Sequence, residues 1–192
     1  MPWVSRIARL IPFALVLGST SARADVGGAQ GVYQTAEDFT GGRLTSASTC
    51  KSPDHKIELH DILKKPHIHV THGGETREYL KKELYGFRSC SGRDYRFVDD
   101  REYRILEART ITIYVLELVR RHGTVRSYYF SVNAEGTVFP LTRDNVKRAF
   151  PDNHTFHDSV DGSFRNERDL IGYDKFHKMF KLNRLLIAPS SR

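Results

Sequence analysis

The residues best placed by type and spacing to do chemistry are three histidines in the run His67-Ile-His69-Val-Thr-His72-Gly-Gly. Neutral imidazoles at such spacing bind zinc, and bound zinc lowers the pKa of a coordinated water. Five of the nine histidines fall between His55 and His72, so the local density of ligand atoms is high. In an extended strand His67 and His69 project to one side, while His72 has the opposite parity unless the turn that follows bends it back.

The spacing His-x-His-x-x-His resembles the His-x-His-x-Asp-His metal motif of metallo-β-lactamase-fold hydrolases. Thr71 stands where that family has the aspartate that binds a second metal and orients the nucleophile. The chain is also short for that fold, and the βα alternation is missing downstream. The plainer reading is preferred: a half-exposed strand whose polar face carries histidine. The alternative is a metal-binding protein, or a metal-dependent hydrolase, using His67, His69 and His72, with zinc as the one cofactor the motifs suggest.

Other chemistries find little purchase. His154-Thr-Phe-His157 has the i,i+3 spacing of a helical metal pair, but reads first as two surface histidines flanking Phe156. There is no Gly-x-Ser-x-Gly elbow, no phosphate loop and no dinucleotide fingerprint. Asp99-Asp100 reads as a turn rather than an acid pair. No catalytic residue is therefore assigned.

The elements that must position these residues alternate mostly with period two from Ile57 to Leu141, which predicts strands. Gly73-Gly74 predicts a turn. Gly86 predicts a bulge or a close backbone contact. For the hairpin over 93–105, a three-residue loop Val98-Asp99-Asp100 is expected, because it sets Tyr95 opposite Tyr103 and pairs Arg96 with Glu102. Gly136 is expected to supply positive φ in the connection Asn133-Ala-Glu-Gly136. Thr35 predicts a capped turn ended by Gly41-Gly42.

After Pro140 the period becomes helical. Thr142, then Asp152 or Asn153, then Asn166 are the expected caps of three helices. The third is predicted to carry Leu170, Tyr173, His177 and Phe180 on one stripe. The fold class is thus α+β: an antiparallel β-meander, as a curved sheet or partly open barrel, with about three C-terminal helices.

Residues 1–24 read as a secretory signal peptide. Arg6 and Arg9 make a basic start, Leu10 to Leu17 an apolar core, and Ala22-Arg-Ala24 a cleavage site. The apolar run is shorter than the ~20 residues that span a bilayer, so no membrane span is expected. The mature domain would run over 25–192, with 25–31 as a flexible tail. Losing Arg6, Arg9 and Arg23 lowers the formal net charge from +7 by three. The remaining excess is too modest to indicate nucleic acid. Cys50 and Cys90 are the only cysteines, and an oxidising compartment favours their pairing as a disulfide.

Several short motifs carry a resemblance over most of this mature chain. They are Gly31-Val-Tyr33 with Glu37-Asp38-Phe39, Leu84-Tyr-Gly-Phe87, Asp94-Tyr-Arg-Phe97, Tyr128-Tyr-Phe-Ser131, Leu141-Thr-x-x-Asn145, Ala149-Phe150 and Tyr173-Asp-Lys-Phe-His-Lys178 through Asn183. Together they are similar to a family of small secreted proteins of Bacteroidetes bacteria that has no assigned activity. The resemblance implies export and a single domain, and brings no catalytic residues. The expected function is a periplasmic or secreted, non-enzymatic binding or interaction module of the cell envelope. Its partner, an envelope protein or a small ligand, is not identified by the sequence. The tyrosine-bearing face of the sheet is the candidate surface.

Overall fold

A computed structural model describes residues 28–52, 54–59 and 65–187. The expected signal peptide over 1–24 and the first residues of the expected tail lie outside the described residues.

The chain opens with β1 (Ala29–Tyr33), α1 (Ala36–Gly41) and β2 (Thr45–Thr49). Three short strands follow: β3 (Lys56–Glu58), β4 (His67–His72) and β5 (Glu75–Leu80). The meander is β6 (Gly86–Arg88), β7 (Asp94–Val98), β8 (Arg101–Glu107), β9 (Ile111–Arg120), β10 (Gly123–Val132) and β11 (Phe139–Pro140). Then come α2 (Arg143–Ala149), α3 (His154–Ser163), the small hairpin β12 (Tyr173–Asp174) and β13 (Met179–Phe180), and α4 (Lys181–Ile187).

An eight-stranded antiparallel sheet in the order β11-β10-β9-β8-β7-β6-β1-β2 is the backbone of the fold, and it does not close into a barrel. The α+β reading with a meander and C-terminal helices holds. Ala29 to Gly31, expected in a loose tail, instead belong to β1, where Gly31 pairs with Arg88 and Val32 is fully buried. Hydrogen bonding on both sides, to β2 and β6, outweighs the freedom of a Gly-rich segment.

Directly paired residues share a face of a sheet. One face therefore runs through Val32, Phe87, Tyr95, Arg104 and Val115, each the partner of the next. Two layers cover it. Over β9 and β10, helices α2 to α4 bury Val146, Phe156, Val160, Phe164 and Leu182 against Ile111, Ile113 and Phe130. Over β1, β6 and β7, the three-stranded sheet β3-β4-β5 buries Ile68 and Val70 against Val32, Phe87 and Phe97.

The β7–β8 register departs from expectation. Val98 pairs with Arg101, Phe97 with Glu102 and Arg96 with Tyr103, so the loop has two residues. Asp99 and Asp100 both take left-handed backbone, φ 47° and 60°, as in the two-residue turns whose twist matches that of paired strands. Burial decides between the registers. This one sends Phe97 under the small sheet and Tyr103 to the opposite face, 4.9 Å from the Tyr129 ring. Burying a large apolar side chain is worth about 1.5–3 kcal/mol. The forgone cross-strand pairs are worth roughly 0.2–1 kcal/mol each. Lys81, itself buried, clamps the turn by donating to the Asp100 carbonyl (3.1 Å) and to Glu102 (2.5 Å).

The opposite face holds Tyr33, Tyr85, Tyr103 and Tyr114, all buried. Arg96 lies against the Tyr85 ring at 5.3 Å and donates to the Tyr114 hydroxyl and to the Glu135 and Gly136 carbonyls. That closes the 133–136 connection over these four tyrosines, which are core residues and not an exposed surface. In the connection, Asn133 carries the positive φ (56°) that was expected of Gly136. A Cβ on Gly136 would lie 2.3 Å from the Val132 carbonyl, so the glycine is there for room. Gly86 is the close approach its position suggested: a Cβ would meet the Tyr95 carbonyl at 1.8 Å.

The expected third helix is broken. Asn166 caps only a short 3-10 turn, Glu167–Ile171. The Asp174 side chain then accepts the backbone N–H of Phe176 and of His177, which fixes a turn and lets β12 and β13 pair. Helix resumes at α4, so three helices still follow the meander. Asn183, buried at the base of α4, exchanges hydrogen bonds with both backbone groups of Ile111 and donates to Glu107 at 2.7 Å.

Candidate metal centre

The small sheet owes its chemistry to strand alternation. Ile68 and Val70 of β4 point into the core, so His67, His69 and Thr71 point outward. Gly73 and Gly74, with φ 59° and 82°, form a two-residue turn into β5. That turn sets Glu75 opposite His72 and, three pairs on, Glu78 opposite His69. On the other flank Glu58 of β3 is also the partner of His69. The outer face therefore carries a row of carboxylate, imidazole and carboxylate, with His67 beside it along the central strand.

His69 Nε2 lies 3.1 Å from a Glu78 carboxylate oxygen. The His67 and His69 rings stand nearly perpendicular, 5.5 Å between centroids. One ligand atom from each of His67, His69 and Glu78 falls within 4.8 Å of the other two. The imidazoles are half-buried and Glu78 is exposed, so an ion would reach the site from solvent without rearrangement of the core. Two imidazoles and one carboxylate are a zinc donor set that leaves further coordination positions open. Glu58, which also contacts Lys56 Nζ at 2.5 Å, borders the same site.

The structure thus joins two of the three sequence candidates and separates the third. His72 lies on the inward parity of β4, where its Nδ1 meets Nδ1 of His55 at 3.2 Å. Thr71 is bonded to Thr76 across the hairpin, Oγ1 to Oγ1 2.9 Å. Glu78 is the third candidate ligand, which spacing alone missed. The signal was present: a two-residue turn at Gly73-Gly74 fixes which residue of β5 faces His69. His60 lies outside the described residues.

The remaining candidates have structural roles. His157 Nε2 donates to the Lys147 and Phe150 carbonyls at 3.0 and 2.8 Å, closing the end of α2. His177 sits in the exposed β12–β13 turn with its Nδ1 2.9 Å from Asp174. Cys50 and Cys90 are joined, with Cα atoms 5.4 Å apart, and tie the end of β2 to the loop after β6. None of the helices among the described residues is long and apolar enough to cross a membrane.

Comparison with known proteins returned no matching family model, no matching curated protein and no matching solved structure.

Proposed function

We propose that this protein is an exported, non-enzymatic binding module of the cell envelope, and that its ligand is a divalent transition-metal ion of the zinc class. The observation that carries the reading is the convergence of His67, His69 and Glu78 on one outward sheet face. The carboxylate beside His69 fits the way protein zinc sites combine imidazole with carboxylate oxygen. The open, solvent-facing position suits capture and release of an ion better than a reaction that must exclude water. Export is supported by the basic-then-apolar leader pattern over 1–24 and by the disulfide, which oxidising compartments favour.

Equilibrium dialysis of the tag-free chain against zinc tests the reading. The wild-type chain should retain bound zinc after passage through buffer. His67→Ala and His69→Ala should each weaken retention at least tenfold, and Glu78→Gln by less, since an exposed carboxylate is the most replaceable of the three ligands. Unchanged retention in a folded His67→Ala, His69→Ala double variant would refute it.

A further inference from the structure

The β9–β10 hairpin runs on past the strands that flank it. The β8–β9 register ends where Arg104 pairs with Val115, and β11 pairs only with Tyr129 and Phe130 of β10. Beyond those points, among the described residues, β9 and β10 pair only with each other, from Leu116–Ser127 to Arg120–Gly123. The joining loop is Arg121-His122, and every residue from Val119 to Arg126 is exposed.

This end is apolar without being packed. Val119 is 86% exposed and Val125 51%, and neither joins any of the packed clusters. Strand propensity alone would be met by threonine, as it is at Thr124. Alternation sets the two valines on opposite faces of the ribbon. Val125 is the partner of Leu118, whereas Val119, the next residue along β9, is the partner of Thr124. Charge at the same end has one sign. Glu117 is the only carboxylate from Leu116 to Ser127. It is taken up by Arg126, which donates to it at 2.7 Å, and by Arg104 at 3.6 Å. Arg120 and Arg121 enter none of the ion pairs among the described residues.

We propose that this hairpin end docks on an anionic phospholipid surface, with Val119 and Val125 entering the headgroup layer and Arg120 and Arg121 meeting lipid phosphates. Interfacial segments bind by buried apolar area together with attraction to anionic lipid, and the arginine fork matches phosphate oxygens. Two features select this occupant. A second copy of the chain would bring four uncompensated arginines together, which like-charge repulsion opposes. A protein surface covers one side of a ribbon, whereas a fluid headgroup layer can surround both, and here both sides carry valine. The docking does not depend on the metal site. It rests only on the export half of the proposed function, which brings the chain to a lipid surface.

The test is co-sedimentation of tag-free residues 25–192, which contain every described element, with phospholipid vesicles in the presence of a metal chelator. Leaving out residues 1–24 removes an apolar segment that would bind lipid by itself. The wild-type chain should sediment with vesicles of mixed phosphatidylglycerol and phosphatidylcholine, not with phosphatidylcholine alone, and added salt should release it. Arg120→Gln with Arg121→Gln should weaken binding about thirtyfold, at roughly fivefold for each basic residue near an anionic surface. Val119→Ser should weaken it about tenfold, as expected for one valine kept out of an apolar layer. These positions are exposed, so the variants should melt as the wild type does. Phe176→Ser, at an exposed apolar position of the β12–β13 turn (89%), should leave binding unchanged. No sedimentation with the mixed vesicles would overturn the proposal, as would binding that survives the double arginine change or the loss of Val119, or that is lost with Phe176→Ser instead. A chain that ignores vesicles but forms dimers abolished by Val119→Ser would assign the hairpin end to a second copy.

Discussion

The helical cover over β9 and β10 and the three-stranded cover over β1, β6 and β7 hide the same face of one sheet by different means. Helices α2 to α4 turn apolar stripes inward, and the polar groups they bring near one another are used up in structure. His157, for example, is fixed to two carbonyls at the end of α2, and Asn183 is spent on Ile111 and Glu107. The small sheet turns Ile68 and Val70 inward and thereby presents a second, outward face. On that face, residues from neighbouring strands stand about 4.5–5.5 Å apart between Cβ atoms. Such a grid brings candidate ligand atoms from β4 and β5 to one place. A cover made of strands can therefore carry a ligand site on its back at little cost to its role as a lid.

If this division is right, damage to the helical cover should lower stability without touching metal binding. The largest effect is expected from Phe164→Ala in the core beneath the helices, about 3–5 kcal/mol by the usual cost of truncating a buried aromatic. Chemical denaturation reads it, and residual folded protein should bind zinc as the wild type does. Removing the disulfide with Cys50→Ser and Cys90→Ser opens a loop with a sequence separation of 40. The chain-entropy model gives a loss of about 4 kcal/mol. Because the bridge joins β2 to the loop after β6, hydrogen exchange should rise first at that end of the sheet. Asn183→Ala strands the Ile111 N–H, and about 1–3 kcal/mol should be lost. Opening of α4, followed by exchange, should precede any change at β4.

A smaller effect belongs to pH. Asp174 is held down to about 2, first by the backbone N–H of His177, then by the His177 imidazole, with Arg184 adding to it. Its contribution is complete above the ordinary carboxylate range near pH 4 and is lost as pH falls through about 2. Asp174→Asn should therefore flatten the acid limb of the stability profile between those values. The variant should leave the neutral-pH metal affinity unchanged.

Much of this comparison could be read from the chain. The caps at Thr35, Thr142, Asn153 and Asn166 all function, because a cap is a local hydrogen bond that neighbouring residues specify. The buried stripe Phe156, Val160 and Phe164 was likewise visible in its spacing. What failed needed longer-range information. The β7–β8 register turned on where Phe97 and Tyr103 would be buried, and local charge pairing could not supply that. Helical spacing from Leu170 to Phe180 was overridden by the turn that Asp174 builds. In the site, His67 and His69 were legible from parity. Glu78 required carrying the Gly73-Gly74 register three pairs outward, and the meeting of His55 with His72 required knowing that β3 pairs with β4.

The most direct measurement is an anomalous difference map at the zinc absorption edge from crystals of the zinc-loaded, tag-free chain. A peak is expected on the outer face of the small sheet, about 2.0–2.2 Å from one nitrogen each of His67 and His69 and from a Glu78 oxygen. Zinc-saturated crystals with these three side chains ordered and no density between them would contradict it.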